Sequence, residues 1–449
     1  MTDEPRDNPE DEFRDMLREF LSGNSSVDPG QLAGAAGLPN DPATIAALVS
    51  QLQNALRDGD GGINWKLALD QATQTAAPAT LDVTDEQRAA MGQAFHIAAL
   101  WLNEVTYVTD ITTEPRLISR TEWIRETMPL WTQLAEPVAT SIADSLTRVL
   151  TEQAPEEFQG MIAGASQLMR SLGGTLFAMQ LGQVVSQLST EVVSGGDIGI
   201  PLLDEQQAAL IPQNVDEFGN GLDIPADQVQ IYLAIRELAH ARLFKHSRWL
   251  RLHLISSITE YARGISIDTA RLEELAENFD PSNPEELRQA VVSGALIPEK
   301  NEAQLQALGR LETILALIEG WVDVVTAQAS ERLPKSDAVA ETVRRRRASG
   351  GPAESAFATL VGLELRPRRL REAAALWQAV TDAVGSEARD ALWSHPDLLP
   401  TSDDLDDPQA LVARLTIVAE GGEPELDEMD QALEDLLRDD GGERPTEAR

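Results

Sequence analysis

Apolar side chains along this chain recur at three- and four-residue steps, and nowhere do they alternate for long enough to make a sheet strand. Residues 43–57 place Ile45, Leu48, Leu52 and Leu56 on one helical stripe, and 85–108 and 121–151 repeat the pattern with Trp101, Trp123 and Trp131 as bulky core candidates. Ala and Leu dominate while aromatic residues make up only 4%, a balance that favours helices over strands. The expected fold is therefore mainly α. The 449 residues would allow about three domains, but one large helical body fits as well. Composition divides the chain into an acidic tail at 1–25, a helical body at 26–400 and a second acidic tail at 401–449. A short helix is expected around Phe13 to Leu21, and another from Leu426 to Leu437. Loops are marked by Gly195-Gly196-Asp197, Pro201, Pro212, Gly219-Asn220-Gly221 and Pro281 to Pro284.

There is no cysteine, which excludes disulfides, thiolate zinc fingers, iron–sulfur clusters and a thiol nucleophile. Any metal site must draw on Asp, Glu and the five histidines, His96, His240, His246, His253 and His395. With 74 acidic against 36 basic residues, the formal net charge is −38. Such a field disfavours nucleic acid and anionic lipid as partners. The tails hold −5 and −12 of it. The acidic start of the chain lacks the basic and then apolar pattern of a secretory signal, so a cytoplasmic location is expected. The stretch from Ser171 to Thr190 is long and uncharged, but Gln180, Gln183, Ser186 and Gln187 point to a buried, closely packed helix rather than a membrane span. Arg344-Arg345-Arg346-Arg347, followed by Ala-Ser-Gly-Gly-Pro, reads as an exposed basic loop, solvated or salt-bridged.

The segment richest in chemistry follows Asp223. Pro225 suits a helix start and Asp227 suits the positive end of its dipole, so a helix over about 226–246 is expected, with Leu233, Arg236, Glu237, His240 and Phe244 along one face. Arg236-Glu237-Leu238-Ala239-His240 is one residue away from H-E-x-x-H, in which two histidines ligate zinc and the glutamate is general base to the metal-bound water. A guanidinium has no lone pair to give a metal, so what remains is one candidate ligand, His240, and one candidate base, Glu237. Zinc catalysis usually needs three protein ligands. A second helical pattern over 302–330 supplies a candidate in Glu319, with Asp323 one turn later and Gly320 between them permitting close approach of a neighbouring helix. At about 100° per residue, His246 lies about 240° round from His240 and points elsewhere. His253 lies beyond the expected break near Ser247. Arg366, Arg368, Arg369 and Arg371 are candidates to line an anionic-ligand site or to form structural ion pairs. His395, in Trp393-Ser-His-Pro, is expected to cap a turn.

Several of these blocks, in this order, are those of a known family. From Asn64-Trp65 to Pro408 the chain resembles the actinobacterial zincin-like metallopeptidases, described as hydrolases or zinc-dependent metalloproteases. The likeness takes in Gly182-Gln183, Asp197-Ile-Gly-Ile-Pro201, Arg236 to Phe244, Glu319-Gly-Trp-Val-Asp323, Gly362 to Arg371 and Trp393 to Pro400. It implies a largely helical fold around the zincin motif, a zinc cofactor, Glu237 as general base, and His240 and Glu319 as ligands. Members with the full pattern have His at the position of Arg236 and often at that of Trp321. This chain looks like a branch with Arg in the first place.

Two expectations follow. In one, Arg236 neutralises Glu237 and Glu319 in place of zinc, and the protein is a zinc-poor or catalytically impaired binding or scaffold module for a peptide or protein partner. In the other, it is an active zinc-dependent peptidase or hydrolase that adds a non-standard ligand, such as Asp323, His246 or His253, to His240 and Glu319.

Overall fold

The computed structural model describes residues 63–152, 159–203, 207–264, 300–351, 355, 358, 360–364 and 368–422. The helices expected at 13–21, 43–57 and 426–437, and Arg366, lie outside the described residues.

Helices carry almost all of the described chain, as the spacing of apolar residues dictates. In order they are α1 (Trp65–Ala76), α2 (Asp85–Val105), α3 (Arg120–Glu152), α4 (Gln159–Glu191), α5 (Pro212–Gly219), α6 (Ala226–His246), α7 (Arg248–Arg263), α8 (Glu302–Ala329), α9 (Ser336–Ser349), α10 (Leu370–Ala391), α11 (Ser402–Asp406) and α12 (Pro408–Ala419). Two strands of two residues, β1 (Arg116–Leu117) and β2 (Ala209–Leu210), pair in parallel, and Ser194 bridges antiparallel to Leu210. No described helix is long and apolar enough to cross a membrane.

Local chemistry sets the starts of the long helices. Thr84 and Gln87 form a reciprocal capping box at α2, and Asn301 and Gln304 do the same at α8. Each box satisfies backbone donors that a helix start otherwise leaves orphaned. Pro212, expected in a loop, occupies the first turn of α5, where its missing N–H costs nothing. The segment 344–347 is corrected more substantially: it is the last part of α9, and the chain turns only at Gly350, where φ is 62°. Residues 402–419, which composition placed in the acidic C-terminal tail, form α11 and α12, and Leu405 and Leu411 are buried.

Helix α6 runs through the middle of the body. Every residue from Tyr232 to Leu243 is buried, packed by α2, α5, α8 and α9, so this helix has no solvent face over three turns. Arg236, Glu237, His240 and Arg242 are therefore inside the protein, where each must find partners. Arg242 finds the Asn103 side chain at 2.8 Å, the Ala99 carbonyl at 3.1 Å and Asp110 at 3.0 Å. Helix α8 lies beside α6 and packs on α10, and at that contact Trp321, Trp377 and Trp393 form an aromatic cluster. Trp123 and Trp131 are buried as expected; Trp101 is half-buried.

Candidate functional site

Three of the four residues singled out on α6 and α8 come together. Arg236 Nη2 donates to Glu319 Oε2, and His240 Nε2 stands 2.9 Å from Glu319 Oε1. The i, i+4 spacing of Arg236 and His240 puts both on the face of α6 that α8 covers. Glu237 points another way. Its carboxylate accepts from the backbone N–H of Gly196 at 2.8 Å and of Ala209 at 2.9 Å, so it ties the loop after α4 and strand β2 to the central helix. Burial pushes the Glu237 carboxyl above the usual carboxylate range, and these amides together with Ser194 pull only part of the way back.

A further cation reaches Glu319 from a segment that the sequence reading placed at the surface. Arg347, from the end of α9, donates to the Ile198 carbonyl at 3.1 Å and lies 3.4 Å from Glu319 Oε1. Its neighbours in the arginine run reach inward too: Arg344 pairs with Asp323 at 2.8 Å and Arg346 with Asp197 at 3.2 Å, while Arg345 stays at the surface with Glu341. Three carboxylates, Glu319, Asp323 and Asp197, thus meet four guanidinium groups. Burial alone would push the Glu319 carboxyl up, but Arg347, Arg236 and His240 outweigh it and hold the group well below the usual range. Asp197 behaves alike: Arg346 and Arg347 more than offset its burial. No spacing rule flags Arg347. The visible signal was only a basic run in a chain with surplus carboxylates.

The loop between α4 and β2 closes over this cluster because it can approach without side chains. A Cβ on Gly196 would lie 2.9 Å from the His240 Cβ, and one on Gly199 would lie 2.6 Å from Glu319 Oε1. Gly199 also has φ 83°, in the left-handed region that side chains resist.

The remaining candidates sit elsewhere. The Trp321 indole donates to Asp390 Oδ1 at 2.9 Å, on the side of α8 that faces α10. Asp323 is held by Arg344 rather than joined to His240 and Glu319. Arg369 donates to Ser402 and pairs with Asp406, and Arg368 pairs with Glu364, so these arginines are structural ion pairs. His246 and His253 are exposed, as is His96. His395 Nδ1 accepts from the Asp397 N–H at 3.3 Å, the turn-capping role its sequence context suggests.

The fit of this donor set to zinc can be judged from its hydrogen bonds. His240 Nδ1 lies 3.1 Å from the Arg236 carbonyl. Nε2 lies 2.9 Å from Glu319 Oε1, so the ring is held between the α6 backbone and that carboxylate. Both oxygens of Glu319 already meet cationic partners, and Arg236 has no lone pair. Among the described residues, no group of three His, Asp or Glu side chains is placed to hold a metal ion. The residues in this arrangement do not fit a zinc ion.

Beside the cluster lies a small cleft of about 40 Å³, with Glu237 and His240 in its wall.

The zincin-like metallopeptidase family matches residues 63–412. The chain belongs to that family. A solved structure, of a putative hydrolase with a novel fold from Chloroflexus aurantiacus, is similar at a TM-score of 0.54 and 17% identity, covering 79% of this chain and 98% of that one. At that identity the likeness is one of fold. No curated protein matches. The helical architecture agrees with the fold expected of the family.

Proposed function

We propose that this zincin-family protein uses a guanidinium where an active zincin would hold zinc, and that it works as a binding module rather than a hydrolase. The observation that carries the reading is the buried pair of Arg236 with Glu319, completed by His240 on the second carboxylate oxygen. A zinc ion balances negative charge and polarises water or a carbonyl. Arg236 can do the first through its fixed charge but not the second. Glu237, which would be the general base, instead ties its carboxylate to the backbone amides of Gly196 and Ala209 and so serves to hold the loop after α4 and strand β2. What the arrangement does supply is a fixed loop and helix pair beside a small cleft. A peptide or protein segment is the partner in this reading, as the family's chemistry suggests.

Metal analysis of the full-length protein purified without a His tag tests it. The expected result is well under one zinc per chain and no rise in melting temperature on adding zinc, with zinc appearing in Arg236→His. Stoichiometric zinc in the unaltered protein would instead establish the other reading, an active zinc-dependent hydrolase using His240 and Glu319 with Glu237 as base.

A further inference from the structure

The arginine run that ends α9 leads to a serine. Arg346 and Arg347 stand three and two places before Ser349, and no other serine or threonine in the sequence has arginines at both of those places. All four guanidinium groups of the run pair with carboxylates, so it is not a free basic surface. Ser349 itself is exposed. It is the last residue of the helix, and its Oγ donates to the Arg346 carbonyl at 3.1 Å. Gly350 then turns the chain away with φ 62°, and Gly351 and Pro352 follow in sequence. A hydroxyl in this position is open to an enzyme acting from outside.

The end of α9 is held by charge rather than by apolar packing. Its buried apolar side chains are Val339, Ala340 and Val343, all before the run. Beyond them Arg346 pairs with Asp197 at 3.2 Å and its guanidinium lies 5.7 Å from the centre of the Phe218 ring, while Arg347 reaches Glu319 and the Ile198 carbonyl. A helix end with few apolar contacts is the kind of segment that opens locally without global unfolding. Opening the last turn frees Arg346 and Arg347 together with Ser349. Two guanidinium groups just before an accessible hydroxyl are a charge pattern that an acid-lined kinase site selects. The kinase and the cluster would therefore compete for the same two arginines.

We propose that Ser349 is the acceptor of a serine kinase that recognises basic segments, and that its phosphate keeps the end of α9 off the cluster of Glu319 and Asp197. In the transfer the Ser349 oxygen bonds to the γ-phosphorus of a nucleoside triphosphate as the bond from that phosphorus to the bridging oxygen breaks. The nucleoside diphosphate leaves, and the hydroxyl proton passes to the carboxylate base of the kinase. The product carries about two negative charges at the C-terminal end of a helix, where the dipole opposes them. The phosphate lies within one turn of Arg345 and Arg346 and competes with Asp197 for the second of these. Return of the arginines would also bring it toward Asp197 and Glu319, which carry like charge. Regulation of this kind rests on the metal-free reading of the site, in which guanidinium groups balance Glu319.

Treatment of the full-length protein, and of a peptide of residues 343–351, with magnesium ATP and a purified serine kinase selective for Arg-Arg-x-Ser tests it, read by intact mass and phosphopeptide mapping. The protein is expected to take up a single phosphate at Ser349, with none in Ser349→Ala and roughly tenfold slower transfer in Arg346→Gln. In the phosphoprotein, hydrogen exchange is expected to quicken roughly tenfold at 344–349 and in the loop at 195–199, with the middle of α6 unchanged. A modified peptide beside unmodified protein would overturn the proposal, because the fold then hides the serine. So would an unmodified peptide, phosphate only at other residues, or complete phosphorylation of Ser349 with exchange unaltered. Zinc content measured on the same samples keeps the two failures apart. Stoichiometric zinc refutes the metal-free reading, whereas metal-free protein that takes no phosphate at Ser349 refutes only the switch.

Discussion

Arg236 and Glu319 are both inside the protein, with Glu319 fully inaccessible to solvent. Taking two charges out of water is costly, and their attraction repays it only with good geometry and additional hydrogen bonds. Here Glu319 has further partners on its second oxygen, a hydrogen bond with His240 at 2.9 Å and an ion pair with Arg347 at 3.4 Å. The pair therefore does more to fix an arrangement than to add stability, and removing one member strands the other. Arg236→Met is expected to lower the free energy of unfolding by about 3–5 kcal/mol, read from urea melts. Arg236→Met with Glu319→Leu should recover much of that, because no buried carboxylate then remains unpaired, and Arg347 keeps the Ile198 carbonyl. A loss under about 1 kcal/mol in Arg236→Met would mean that Arg347 and His240 alone hold Glu319.

Helix by helix, the periodicity of the sequence proved a good guide where a helix is long and its core face continuous. The expected 226–246 and 302–330 are observed as Ala226–His246 and Glu302–Ala329. The face shared by Arg236 and His240 follows from that periodicity, whereas the meeting with Glu319 was suggested only by the likeness to a zincin ligand set and is a matter of tertiary packing. The basic run at 344–347 was illegible for a physical reason. Its local signals, four like charges followed by Gly-Gly-Pro, describe a solvated turn, and only tertiary placement shows that Asp323, Asp197 and Glu319 lie where Arg344, Arg346 and Arg347 can reach them. Helical spacing gives the side of α6 on which Glu237 lies, but not that the Gly196 and Ala209 amides face it there. At Gly320 the close approach of a neighbouring helix expected from the sequence is observed. A Cβ there would lie 2.7 Å from both the Ala373 Cβ and the Ala374 nitrogen, so α8 and α10 meet backbone to backbone. Gly320→Ala is expected to cost about 1–3 kcal/mol by forcing these helices apart. On the same helix Gly309 has nothing within 4 Å of its would-be Cβ, and Gly309→Ala should stabilise by about 0.5–1 kcal/mol through helix propensity. Paired thermal melts of the two variants check the contrast, which a general intolerance of α8 to substitution would abolish.

For the molecule as a whole, the surplus of acidic groups and the buried cluster respond to pH in opposite ways. Protonating surface carboxylates relieves the self-repulsion of a −38 chain, which favours the fold as pH falls. Glu319 and Asp197 act against this. Their carboxyls are held below the ordinary values of 4.5 and 3.8, so the stability they contribute is complete above those values and is lost as pH falls through the folded pKa. Glu237 has the other sign. Burial raises it above 4.5, so its ionisation weakens the fold as pH rises from 4.5 through its folded pKa. Absolute stability curves mix all three effects, but a comparison of variants isolates the cluster. In Arg236→Met/Glu319→Leu the most strongly depressed of these carboxyls is gone, while surface charge and Glu237 are untouched. The difference in unfolding free energy between the unaltered protein and this variant is therefore expected to be constant above about pH 5 and to shrink as pH falls below 4.5. Urea melts at pH 7, 5, 4 and 3 would measure it. A difference that stays constant to pH 3 would show that Glu319 is not ionised against Arg236 and Arg347, and that the charge balance inferred for the cluster is wrong.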